Sequence, residues 1–399
     1  MAAPYNDRLD RIGDYPFDRL RALLGPLTPA SNLDPIMLSL GEPQHAAPDM
    51  IRTTVEANAP LWGKYPPLRG TAEFRAAVAD WLTRRYALPA GMIEGDRHVL
   101  PVSGTREALF MVALAAVPES KGGKRPVVLM PNPFYQVYIG AAVLAGAEPV
   151  LVPATKESGF QPDYAALPAD ILARTAFAYL SSPANPQGSV ASLETLKATV
   201  ALARRHDFLL VSDECYSEIW LDAPPPGAAE ACAALGGSLD NVAIFQSLSK
   251  RSSAPGLRSG FVAAAAPFID KFARLRDYGG VAPPLPLLAA ATALWRDEAH
   301  VEASRDLYRR KFEMAGRILD GRHGYYRPGG GFYLWLDVGD GEEAARRLWR
   351  EAALRVLPGA YLAKPDAAGV NPGARYIRCA LVQDLDTTAE ALTRLARVL

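Results

Sequence analysis

Two hydrophobic periods alternate along this chain. Apolar side chains recur every three to four positions through Thr71–Tyr86, Thr105–Val117 and Leu193–His206, the spacing that gathers them on one face of a helix. Between these segments stand short apolar or β-branched runs: His98–Val102, Val127–Met130, Glu148–Val152, Thr175–Leu180, Phe208–Ser212, Val242–Gln246 and Gly260–Ala264. Runs of that length, separated by helices, predict strands of a mostly parallel sheet buried on both faces. The expected class is therefore α/β.

The rhythm changes at Pro283, Pro284 and Pro286. Beyond them Leu287–Leu319 reads as one nearly continuous helix with Arg, Glu and Asp on one face. Gly329, Gly330 and Gly331 then lead into a strand at Phe332–Val338, a helix at Glu342–Ala353 and a strand at Tyr376–Leu381. This predicts a smaller α+β unit. The first stretch holds one short amphipathic helix, Phe17–Leu24, and is too small to fold alone, so it must dock elsewhere. The expected division is an arm and part of the small domain over 1–45, a large domain over 46–283, and an interdomain helix with the small domain over 284–399.

Composition narrows this picture without changing it. At 399 residues, 49% hydrophobic and 22% charged, the chain matches folded globular proteins. Lys+Arg 43 balances Asp+Glu 43, so no broad basic field attracts nucleic acid or anionic lipid, and small molecules are the expected partners. Cys215, Cys232 and Cys379 are far apart and form no CxxC, which argues against a disulfide scaffold or zinc site and fits a reducing cytoplasm. The opening MAAPYNDRLDRIGDYPF lacks the apolar stretch of a secretion signal. Ala108–Val117, among the longest apolar runs, falls far short of the roughly 20 residues that cross a bilayer. The five histidines are scattered without an HExxH, so no metal is expected.

Four segments carry candidate chemistry. In SLSKRSSAPGLRSG, Lys250 follows a predicted strand, at the edge where ligands bind in open α/β sheets. To attack an aldehyde it must lose its proton, and Arg258 is the expected neighbouring cation that lowers its pKa. In FLLVSDECY, Asp213 ends a buried strand and needs a partner. A protonated heteroaromatic nitrogen at about 4 Å would supply roughly 4 kcal/mol at an effective dielectric near 20, before desolvation. Tyr216 could donate to a ring oxygen in the same pocket. In HVLPVSGTREALF, Gly104 permits close approach, and the Thr105 and Arg106 amides at a helix start form an anion site. Neither a P-loop nor a GxGxxG is present, so the phosphate belongs to something other than a nucleotide. In SSPANPQG, Asn185 is held extended by Pro186 and can aim its amide at a ligand, and Ser182-Pro183 and Asn185-Pro186 are candidate cis peptides. Each segment alone has a plain alternative: a solvated lysine, a turn cap, an N-cap by Ser103 or Thr105, an ordinary loop. Their order and combination decide.

Taken together, the segments resemble class I aminotransferases of fold-type I, which depend on pyridoxal 5'-phosphate, and the likeness runs over nearly the whole chain. It implies a large domain built on a mostly parallel seven-stranded sheet flanked by helices, plus a smaller α+β domain. By resemblance Lys250 would form the imine with the cofactor and then act as base and acid. Asp213 would pair with the pyridinium nitrogen, and Tyr216 and Asn185 would bond the phenolic oxygen. Gly104, Thr105, Arg106, Ser247, Ser249 and Arg258 would hold the phosphate. The stacking aromatic falls on Tyr135, with Phe134 beside it. Arg378 in YIRCAL matches the clamp on the substrate α-carboxylate, and Gly41 in SLGEP the backbone over that carboxylate. Tyr65 in GKYPPLRG matches the tyrosine that reaches the other subunit's phosphate, which implies a homodimer.

Within that family, YPFDRLRALL, SLGEPQHAAP and YPPLRGTAEFRAAVADWL are similar to aminotransferases of lysine and diaminopimelate biosynthesis that act on N-succinyl-LL-2,6-diaminopimelate. Their reaction transfers the amino group to 2-oxoglutarate. Such a donor carries distal carboxylates, for which Arg21, Lys64, Arg69 and Arg106 are available. The alternatives are aspartate, aromatic or branched-chain donors, or carbon–sulfur lyase chemistry on the same scaffold, which would need no keto-acid acceptor.

Overall fold

The computed structural model describes residues 5–399. Seven strands form the central sheet: β1 (Val99–Val102), β2 (Val127–Asn132), β3 (Glu148–Pro153), β4 (Thr175–Ser181), β5 (Leu209–Asp213), β6 (Val242–Ser247) and β7 (Gly260–Ala264). Their spatial order is β1-β7-β6-β5-β4-β2-β3. Only β7 runs against its neighbours, β1 and β6. The central strands β2, β4 and β6 are buried along their whole length, as expected of a sheet covered on both faces. Each predicted strand is present, with ends that coincide or differ by at most two residues. The helices that cover the sheet include α1 (Ala72–Arg85) and α2 (Thr105–Ala116).

The predicted continuous helix over Leu287–Leu319 is two helices, α3 (Leu285–Arg296) and α4 (Ala299–Leu319), separated by an extended Asp297 at φ −105°, ψ 131°. The reason is that the two segments face different cores. Leu288, Ala291, Leu294 and Trp295 of α3 pack with Trp81 and Phe261 in the core beneath the large sheet. Phe312, Ala315 and Leu319 of α4 pack with Leu334, Leu336 and Leu348 in another. One straight helix cannot aim its apolar stripe at both.

The second core underlies a three-stranded antiparallel sheet of β8 (Tyr333–Asp337), β9 (Leu357–Pro358) and β10 (Tyr376–Ala380), in the order β9-β10-β8. Two further helices, Gly341–Ala352 and Leu385–Val398, bury Ala345, Leu348, Leu392 and Leu395 against it. The arm is stitched to this unit: Ile36–Met37 pairs in parallel with Leu354–Arg355, and Leu20 and Leu24 pack on Trp335, Leu357 and Tyr361. Among the described residues, no helix is long and apolar enough to cross a membrane.

Candidate active site

Parallel strands β2, β4, β5 and β6 all end at one sheet edge, and the segments that follow them converge there, where ligands bind in such folds. Thr105, Arg106, Tyr135, Asn185, Asp213, Cys215, Tyr216 and Lys250 line one cavity, which Gly41, Tyr333 and Arg378 close from the arm and the second sheet. Tyr15, Phe17 and Leu40 stand among its walls. An adjoining recess shares Thr105, Arg106 and Lys250 and adds Ser247, Ser249 and Arg258.

Lys250 sits in a single helical turn, Leu248–Arg251, directly after β6. Its Nζ donates to the Gly41 carbonyl at 2.5 Å and lies 5.3 Å from the Phe332 ring centroid. Burial lowers its pKa to about 8, and the positive charges of Arg378 and Arg106 push the same way. The expectation that Arg258 supplies the neighbouring cation is thus corrected: desolvation dominates, and the cations are Arg378 and Arg106.

Asp213 ends β5 at the cavity floor. Its Oδ2 accepts from the Tyr138 hydroxyl at 2.6 Å and its Oδ1 from the Cys215 amide at 3.3 Å. Burial raises its pKa, against the pull of these two bonds. A cation beside it would restore the charged form, which is the chemistry of a carboxylate awaiting a protonated ring nitrogen. Sequence reasoning missed Tyr138. Three residues after Tyr135 in PNPFYQVY, it stacks on Tyr179 at 4.0 Å and 11°, so the signal was helical spacing from the residue already selected.

The recess has the form of an anion cradle. Gly104, at φ 83°, precedes the 12-residue α2, and no side chain caps that helix, so its first amides are open to a ligand. A Cβ on Gly104 would collide with Nη2 of Arg258. The Arg258 guanidinium is held at the carbonyls of Pro255 and Ser103, 2.9 and 3.2 Å away. Ser247 and Ser249 hydroxyls face each other at 2.9 Å. Ser103 is turned away and donates to the Val281 carbonyl at 2.6 Å. Neither it nor Thr105 caps the helix.

Above the floor, Arg378 on β10 donates through Nη1 to Asn185 Oδ1 at 3.1 Å and through Nη2 to the Ser39 carbonyl at 2.7 Å. Its guanidinium carbon lies 4.4 Å from the Tyr333 ring centroid, and its Nε is buried without a partner. The hydroxyls of Tyr216 and Tyr333 are 3.0 Å apart. Tyr333 is a second residue missed from sequence, because only folding brings β8 over the cavity. A side chain at Gly41 would strike the Tyr333 hydroxyl. Asn132-Pro133 is cis, as are Ser182-Pro183 and Asn185-Pro186. Tyr65 lines neither cavity and is 101% exposed in the single chain.

A sheet of this order, with a lysine, an acid and an anion cradle at its carboxyl edge, defines a fold-type I transferase. Residues 34–392 match the model of the family described as aminotransferase class I and II, and the chain belongs to that family. It is 33% identical to the 4-dedimethylamino-4-oxo-anhydrotetracycline transaminase OxyQ of Streptomyces rimosus, over 90% of this chain and 92% of that protein. It is 31% identical to an LL-diaminopimelate aminotransferase of Desulforudis audaxviator, over 97% and 96% respectively. Among solved structures, an aminotransferase from Neisseria meningitidis superposes with a TM-score of 0.93 at 38% identity, covering 98% of this chain and 99% of that one. Aminotransferase AspB of Helicobacter pylori gives 0.88 at 35%, covering 96% and 98%. The protein is accordingly a pyridoxal-phosphate-dependent aminotransferase. The uncapped helix start, the unpartnered Arg378 Nε and the buried Asp213 suit a phosphate, a carboxylate and a ring nitrogen in turn.

Proposed function

We propose that the amino donor is N-succinyl-LL-2,6-diaminopimelate and the acceptor 2-oxoglutarate, giving N-succinyl-2-amino-6-oxopimelate and glutamate. The observation that carries this reading is Arg106. Its Nε and Nη2 donate to the hydroxyls of Tyr135 at 2.8 Å and Tyr15 at 3.2 Å, and among the described residues no carboxylate pairs with it. Of the other cations considered, Arg21 is paired with Asp18 and Arg69 with Asp270, and Lys64 lines neither cavity. A guanidinium left facing a cavity on neutral partners suits a distal carboxylate. Among the described residues, Asp213 is the one acid lining the main cavity, and Glu42 stands in the adjoining recess. The free second ammonium of unacylated diaminopimelate would therefore lack a counter-charge, whereas an acylated amine needs none.

The chain's residues then divide the work. Pyridoxal phosphate, when bound, supplies the electron sink that makes the substrate Cα proton removable. Lys250 would hold the cofactor, and its amine, with a pKa lowered to about 8, would take and return the proton at the substrate Cα. Asp213, oriented by the Tyr138 hydroxyl, would keep the ring nitrogen charged. Tyr216 and Asn185 serve the phenolic oxygen, and Tyr135 the ring face. The Gly104–Arg106 backbone, Ser247, Ser249 and Arg258 hold the phosphate. Arg378 clamps the α-carboxylate beneath the Gly41 backbone. Tyr65, exposed here, reaches the site of a second copy, so the working unit is a homodimer.

A panel of donors with 2-oxoglutarate, followed by glutamate release, tests the substrate. The succinylated donor should give the highest kcat/KM. Preferential turnover of aspartate, tyrosine or unacylated diaminopimelate would overturn the assignment, and amine elimination without acceptor would indicate a lyase.

A further inference from the structure

The turn that carries Lys250 is tied at its far end to the break between α3 and α4. Arg251, with no side-chain exposure, donates to the Leu294 and Asp297 carbonyls at 2.7 and 3.2 Å and to Glu298 at 2.6 Å. Its guanidinium lies 4.9 Å from the Trp295 ring centroid and 5.6 Å from that of Trp81. Ser252 follows. Its hydroxyl meets Nε2 of His300 at 2.8 Å, and His300 Nδ1 meets Asp297 Oδ2 at 2.5 Å. The same carboxylate oxygen also accepts from the His300 backbone amide at 3.1 Å.

Aspartate, histidine and serine thus form the relay familiar from hydrolases. Here it has no substrate to act on, because Ser252 is 1% exposed and lines neither cavity of the site. The relay is a tether. Burial keeps His300 neutral, and its bonds hold Asp297 in the charged form. Asp297 therefore accepts a hydrogen bond from the Nδ1–H, and Nε2 accepts from the Ser252 hydroxyl. The charged groups acting on the imidazole are Asp297, Glu298 and Arg251.

We propose that Asp297 and His300 are positioning residues for Lys250: through Ser252 they fasten the lysine-bearing turn to the point where the chain passes from one hydrophobic core to the other. The placement explains why the turn needs a second anchor. Leu248–Arg251 is a four-residue helix, too short to hold itself, and Ser253 just beyond it takes a left-handed φ of 47°. The Lys250 amine at one end and the break at the other thereby move together.

The proposal rests on Lys250 being the cofactor lysine, and its test separates the two. In the holoenzyme, Ser252→Ala removes one oxygen and leaves the fold's packing intact. The pH midpoint of the cofactor absorbance band should shift by half a unit or more. kcat should fall about tenfold with donor KM within twofold, as expected of a displaced reacting group, and amide exchange at 248–253 should quicken. His300→Ala should behave alike. His300→Gln, which keeps an acceptor for the hydroxyl, should recover most of the loss. A lower Tm with an unchanged band midpoint, kcat and exchange in Ser252→Ala would overturn the proposal, as would a His300→Gln variant no better than His300→Ala. Should His300→Ala not fold, Ser252→Ala decides alone. If wild-type protein bound no cofactor at Lys250, that reading would fall, and exchange at 248–253 would still decide the tether.

Discussion

The protonation of Lys250 can be followed in the cofactor-free chain. Its folded pKa, about 8, lies below the ordinary lysine value of 10.5. Between those values the unfolded chain binds more protons than the folded one, and the stability contribution of this group rises with pH across that window. The nucleophile is the neutral amine, so capture of free cofactor should quicken with pH and reach half its maximal rate near pH 8, by stopped-flow absorbance. Lys250→Ala should abolish transamination and leave no borohydride-trapped adduct. Arg106→Gln keeps the Arg106 backbone amide and removes the guanidinium. KM for the succinylated donor should rise roughly 10- to 100-fold, the worth of one charge-assisted hydrogen bond, with little change for a monocarboxylic donor. At this scale Lys250 and Asp213 were legible as ionisable residues at the end of an apolar run, and Arg378, in the middle of its strand, through the resemblance of YIRCAL. Tyr138 and Tyr333 were not, because a buried tyrosine reads from sequence as core until a partner for its hydroxyl is placed.

Elements obey the periodicity that predicted them, and depart from it where two cores compete. α3 lies on α1, with the Trp81 and Trp295 rings 4.9 Å apart and Phe261 of β7 5.1 Å from Trp295. Trp295→Ala should cost roughly 3–5 kcal/mol, the usual result of emptying a fully buried aromatic site, measured by denaturant unfolding. The expected single helix over Leu287–Leu319 was a fair reading of period alone, since both halves are amphipathic. Asp297 is spent on a tether and on an extended backbone instead. Asp297 and His300 are three residues apart, but nothing in the local pattern shows that the histidine reaches Ser252 on the lysine-bearing turn.

The whole molecule sets one chain's site at the meeting of an arm, a large sheet and a small one. Arg378 enters from β10, Gly41 from the arm and Lys250 from the turn after β6, across sequence separations of up to 337 residues between Gly41 and Arg378 (378 − 41). Trp62, Tyr65, Tyr278 and Val281 are exposed in the single chain, as residues bound for an interface would be. Sedimentation of the holoenzyme should report a dimer, and Tyr65→Phe should weaken cofactor retention by about tenfold, the share of one hydrogen bond, without changing the subunit fold. What the sequence determined by itself was the class of sheet, the family, the cofactor and the ionisable residues that serve it. The class of sheet follows from short-range pattern, strand period and helix starts, while the family, the cofactor and the residue roles are what the resemblance of four ordered motifs implies. What only the tertiary structure decided was that the Arg106 guanidinium meets the Tyr135 and Tyr15 hydroxyls, which tyrosine bonds Asp213, and where the long helix breaks. Those depend on partners from other elements, 75 residues apart for Tyr138 and Asp213, whose approach is governed by the burial of two separate cores and leaves no local trace in the chain.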